Sequence, residues 1–97
     1  MITSFCEDCS EYIKFIYSKI VFYPEQLQVS FQEGDVLVFT ITCNEKDDGI
    51  IIGKQGATIQ SVRLFVHAYS KAKIQGIPCI IEVRDHRRSN YNPFNKR

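Results

Sequence analysis

The four residues Gly53-Lys54-Gln55-Gly56 split an otherwise helical stretch in two, and no other feature of the chain restricts its fold as tightly. Before them, Asp47-Asp48-Gly49-Ile50-Ile51-Ile52 opens on acids suited to a helix start and predicts a helix of one or two turns over about 47–52. After them, Ile59, Val62, Val66 and Tyr69, flanked by Phe65, Ala68 and Ala72, recur at helical spacing and predict a helix over about 57–74. Lys71 and Lys73 suit its negative end, and Gly76 with Pro78 stops it. Two helices joined this tightly need residues without a Cβ where the backbone turns or is approached closely, and Gly53 and Gly56 meet that need.

The rest of the chain supplies a helix and three strands. Ser4-Phe5-Cys6-Glu7 has the spacing of a capping box. Ile13, Ile16, Tyr17 and Ile20 follow at intervals of three and four, and Tyr23-Pro24 ends the helix, predicted over about 5–22. Leu27, Val29 and Phe31 alternate with polar residues, predicting a strand over about 26–32 with one wet face. Glu33-Gly34-Asp35 turns into a β-branched and aromatic run over about 36–43, which makes a hairpin, and a last strand is predicted over about 79–84. Periodicity then stops, and residues 86–97 read as a flexible basic tail behind a single domain of residues 1–85. The order is helix, strand, strand, helix, helix, strand, an α+β fold.

Ninety-seven residues, 44% of them apolar, suit one hydrophobic core. No apolar run reaches membrane-spanning length, and residues 1–10 lack the basic start and apolar stretch of a secretory signal, so a cytoplasmic protein without a membrane partner is expected. Of the four cysteines, Cys6 and Cys9 form a C-x-x-C pair that could open a zinc or redox site, but no second close pair accompanies it. Reduced thiols are expected, with Cys43 and Cys79 as small core residues. The net charge of +1 hides an asymmetry. Residues 1–53 hold three lysines against nine acids, and residues 54–97 hold nine lysines or arginines against Glu82 and Asp85, hence −6 against +7. A basic second half is how a polyanion is attracted without a high overall charge.

The chemistry gathers at the bend. A helix beginning there turns unpaired backbone N–H groups and its positive dipole end outward, with the Lys54 ammonium beside them, and a phosphate is the natural occupant. Gly49 to Gln55 is one residue short of a nucleotide-binding P-loop, with Gln55 where a magnesium-binding Ser or Thr belongs, and G-x-G-x-x-G is absent. No nucleophile–base pair, paired carboxylates or metal cluster stands at convincing spacing; Asp47 and Asp48 read as helix-start acids, and His67 and His86 have no ligand-spaced partners. A non-enzyme without metal or cofactor is expected.

Ile51-Ile52-Gly53-Lys54-Gln55-Gly56-Ala57-Thr58-Ile59-Gln60-Ser61-Val62-Arg63, preceded by the hairpin, resembles the KH family of single-stranded nucleic-acid-binding domains, and the order of elements over about residues 10–85 is similar to its type II form. Small stand-alone bacterial KH proteins that bind RNA are the nearest likeness. The resemblance implies helices on one face of a three-stranded mixed sheet. It also implies a groove for about four unpaired nucleotides, clamped by the G-x-x-G loop. By position, Gly53, Lys54, Gln55 and Gly56 would meet the sugar-phosphate chain, Ile51 and Ile52, or whichever of them faces the groove, would lie under the bases, and Arg63 could reach a phosphate or base edge. Many such proteins carry a basic residue after the second glycine, where this chain has Ala57. Arg87 and Arg88, with Lys96, Arg97, Tyr91 and Phe94, make a basic and aromatic mix that could compensate.

The family likeness further implies self-association or pairing with a second KH-containing RNA-binding protein, and work as an RNA chaperone or ribosome-associated factor. Alternatives are a protein–protein interaction module that retains the fold, or a binder of single-stranded DNA.

Overall fold

The computed structural model describes residues 1–84; the tail, with Arg87 and Arg88, lies outside the described residues. Helix α1 (Ile2–Ser18) places Phe5, Cys6, Cys9, Ile13 and Tyr17 on one buried face. It starts before the capping box expected at Ser4: Met1 is the N-cap, without a side-chain cap bond, and Met1 O accepts the Phe5 amide at 3.1 Å. Ile2 and Phe5 both pack on the core, and that burial carries the helix past Ser4. The far end is also shorter than predicted. The Ile20 and Val21 amides both turn back to Tyr17 O, while the amides of Phe22 and Tyr23 are taken by a distant carboxylate, so the chain leaves the helix well before Pro24. Ile20 is therefore exposed rather than part of the apolar face.

A short 3-10 turn, Pro24–Gln26, leads into β1 (Gln28–Gln32), which pairs antiparallel with β2 (Leu37–Thr42). Val29 opposes Ile41 and Phe31 opposes Phe39 on the helix side of the sheet; Gln28–Thr42 and Ser30–Thr40 pairs occupy the other face. β3 (Cys79–Val83) runs parallel to β2, with Leu37 opposite Cys79 and Ile41 opposite Val83, giving the order β1-β2-β3. A parallel pair needs a long crossover. Here it consists of α2 (Asp48–Ile52) and α3 (Ala57–Ile74), so the bend at 53–56 sits between the two helices that connect the paired strands. α1 packs on β1, and α3 on β3, so all three helices share one side of a mixed sheet: the α+β arrangement of a KH domain.

Between the layers, Tyr17, Phe39, Ile13, Leu27, Leu37, Ile41, Ile51, Ile59 and Ile81 lose essentially all contact with water. All four cysteines are free and buried, so the C-x-x-C pair is part of the apolar face of α1. Burial pushes the Cys6 thiol up to about 11 and the Cys9 thiol up to about 12, which keeps both protonated at neutral pH. Among the described residues, no helix is long and apolar enough to cross a membrane.

Candidate functional site

Three positive-φ residues within four positions make the bend. Gly53 has φ +82° and ψ 170°, Gln55 has φ +55° and ψ 28°, and Gly56 has φ +79° and ψ 12°. Gly56 N–H donates to Gly53 O at 3.0 Å and closes the turn, while Gly53 N–H donates to Gly49 O at 2.8 Å and ends α2. A Cβ on Gly53 would press on the Thr58 hydroxyl and lie 2.7 Å from Thr58 N, so both the dihedral angle and the close approach call for glycine. The left-handed Gln55 carries no warning in the sequence, because glutamine, unlike asparagine, has no tendency toward that region.

Lys54 and Gln55 are exposed at the tip, and Gly56 is buried as the N-cap of α3. The Gly56 amide is taken by Gly53 O and the Ala57 amide by Lys54 O, so the bend sets the Lys54 ammonium beside the positive end of an eighteen-residue helix. No acidic residue occurs in α3. Arg63 lies six residues in, about 9 Å along the axis, half-buried, its Nε donating to Gln60 Oε1 at 3.1 Å. Arg63, exposed His67 and exposed Lys71 recur every fourth residue along one flank of α3.

The isoleucine pair divides. Ile51 is 0% exposed and belongs to the core, where α2 packs on α3 and β3. Ile52, half-buried, is the member that reaches the surface beside Gly53. α2 packs against both α3 and β3, and β3 is an edge strand.

The two acids at the start of α2 do more than begin it. Asp47 is 0% exposed, and its carboxylate accepts the Phe22 amide at 2.9 Å and the Tyr23 amide at 3.0 Å. Asp48, also buried, accepts from the Cys43 thiol at 3.4 Å. At the other end of α2, Ile51 O accepts the Tyr17 hydroxyl at 2.8 Å. Sequence reasoning missed Tyr17, Asp47 and Thr58 as supports of the bend; a buried tyrosine reads simply as core until its hydroxyl's partner is known.

Comparison with known proteins agrees with this geometry. The family model described as "KhpA/KhpB, KH domain" matches residues 10–82. The chain is 39% identical to the RNA-binding protein KhpA of Thermotoga maritima over 59 residues, 60% of this chain and 79% of that protein. It is 31% identical to the RNA-binding protein KhpA of Lactiplantibacillus plantarum over 62 residues, 63% of this chain and 73% of that protein. No solved structure matches. With the bend, its flanking helices and all but the last residue of the mixed sheet inside the matched span, the chain belongs to the KhpA/KhpB family of KH-domain proteins.

Proposed function

We propose that this protein is a non-catalytic RNA-binding protein that holds unpaired RNA against the bend at 53–56. The observation that carries this reading is the exposed tip, where two glycines at positive φ let a sugar-phosphate chain approach the backbone beside Lys54 at the start of α3. Relatives that bear the name RNA-binding protein support it. Gly53, Lys54, Gln55 and Gly56 take the phosphates, Ile52 offers apolar surface to a base, and Arg63 extends the cationic path along α3. The domain spans residues 1–85, and Arg87 and Arg88 add charge from the tail. The protein works in the cytoplasm, as an RNA chaperone or a ribosome-associated factor.

A groove for about four nucleotides binds weakly alone, so a second binding unit raises affinity through effective concentration. Self-association, or pairing with another KH-containing protein, fits the exposed aromatic face where α1 and α3 meet. There Tyr12 and Phe65, 43% and 45% exposed, stack with ring centroids 4.8 Å apart.

The test is a gel-shift titration with short unpaired RNA, its DNA counterpart and a duplex. We expect binding to unpaired RNA that is lost when Lys54 and Gln55 are both changed to Asp. Equal binding by that variant at low salt rules the clamp out, and equal preference for the DNA strand rules out RNA as the specific ligand.

A further inference from the structure

We infer that the Tyr17 hydroxyl, acting from α1, is a positioning group for the phosphate-contacting bend, with Asp47 as its counterpart at the opposite end of α2. This rests on the reading of the bend as an RNA clamp. A helix of five residues has too few internal hydrogen bonds to hold its own direction, so its pose is set by what it is tied to. α2 is tied at both ends to one stretch of chain. Its last turn gives the Ile51 carbonyl to Tyr17 Oη, 34 residues earlier, and Asp47 at its N-cap binds the amides of Phe22 and Tyr23, just beyond α1.

The Tyr17 bond falls where it matters for the bend. Carbonyls in the last turn of a helix have no partner within it, and a buried one left unmade is costly. Tyr17 is wholly buried, and burial raises its phenol well above the ordinary range, so the hydroxyl stays protonated as a donor. Ile51 stands two residues before Gly53. Without the hydroxyl, the Ile51–Ile52 peptide can rotate, and that rotation passes directly into the φ +82° hinge of Gly53 and the amides beyond it. Tyr17 itself is far too deep to touch RNA, so its effect on binding is indirect.

The experiment compares the full chain with Tyr17→Phe, which keeps the ring and removes only the oxygen. The control is Val29→Ala, which removes packing on β1, at the other edge of the sheet from β3. Binding to fluorescently labelled unpaired polyuridylate is measured alongside amide hydrogen exchange, resolved by residue. Tyr17→Phe is expected to bind about fivefold more weakly, the worth of one ordinary hydrogen bond, with faster exchange at Gly56 and Ala57, whose amides close the bend, and unchanged exchange in β2. Val29→Ala is expected to lose stability without either change.

Wild-type affinity or unaltered exchange at the bend in Tyr17→Phe overturns the inference, as does an equal loss of affinity in Val29→Ala. If Tyr17→Phe does not fold, Asp47→Asn tests the other tie by the same readouts and the same criteria. Changing both Lys54 and Gln55 to Asp separates the two readings. If that variant still binds, the clamp itself is wrong and the inference falls with it. If it does not bind while Tyr17→Phe binds normally, the clamp stands and only the role of Tyr17 is overturned.

Discussion

Gly53 and Thr58 meet across the bend so closely that a single methyl group on the glycine would overlap the threonine side chain. Gly53→Ala must therefore both hold φ near +82° and displace the start of α3. We expect a stability loss of at least about 1–2 kcal/mol from the backbone alone, read as a lower urea midpoint, together with weakened RNA binding. Gly49, four residues earlier, has nothing within 4 Å of its would-be Cβ and lies inside α2. Gly49→Ala is expected to be neutral or to stabilise by up to about 1 kcal/mol. Equal penalties for the two changes would contradict the geometry.

Asp47, itself without exposed surface, supplies both of its carboxylate oxygens to the backbone amides of Phe22 and Tyr23. Asp47→Asn keeps one acceptor and turns an NH2 group toward the other amide, so one amide donor faces another donor beside a buried side chain. The expected cost is about 1–3 kcal/mol, seen as a lower denaturation midpoint with the m-value retained. A stability change within error would mean that water replaces the lost oxygen.

Cys6 and Cys9 make the protein sensitive to alkali. Ordinary thiols titrate near 9, whereas the folded values are about 11 and about 12 because the thiolates would be buried. Below pH 9 both states hold these protons and stability does not respond. Between 9 and 11–12 the unfolded chain releases protons that the folded one retains, so stability falls as pH rises through that window. Denaturation midpoints measured from pH 7 to pH 11 should be flat and then decline, and Cys6→Ala with Cys9→Ala should flatten the decline. A thiol-reactive dye should label these residues at the rate of unfolding rather than at once.

Contact with phosphates should give RNA binding a log-log salt slope of about −0.7 for each one. Lys54→Ala is expected to make the slope shallower by about that amount. Removal of residues 86–97 should reduce it further if Arg87 and Arg88 take part. Slopes unchanged by either alteration would mean that neither segment meets the backbone of the nucleic acid.

What could be read from the sequence follows from how local each signal is. The β-branched and aromatic run of β2, the helical spacing of Ile59, Val62 and Val66, and the glycine pair all announce themselves within a few residues, and all three lie where the structure has strand, helix and bend. Ser4 misled, because a capping pattern is also local and was outweighed by the burial of Ile2 and Phe5. Ile51 and Ile52 are indistinguishable as letters, and only the packing of α2 between α3 and β3 sends one inward and the other toward the surface. Tyr17 and Asp47 act on partners 24 to 34 residues away, a separation no window can span. Gln55 shares the left-handed region with Gly56 beside it, and its residue type gives no sign of that.

The parallel pairing of Leu37 with Cys79 also sets an order of events during synthesis. The hairpin can zip as soon as it leaves the ribosome, yet the second edge of its central strand stays bare until some forty more residues have been translated. For that interval the nascent chain displays an open row of amides and carbonyls beside isoleucine and phenylalanine, the kind of surface that chaperones shield and that joins one unfinished chain to another.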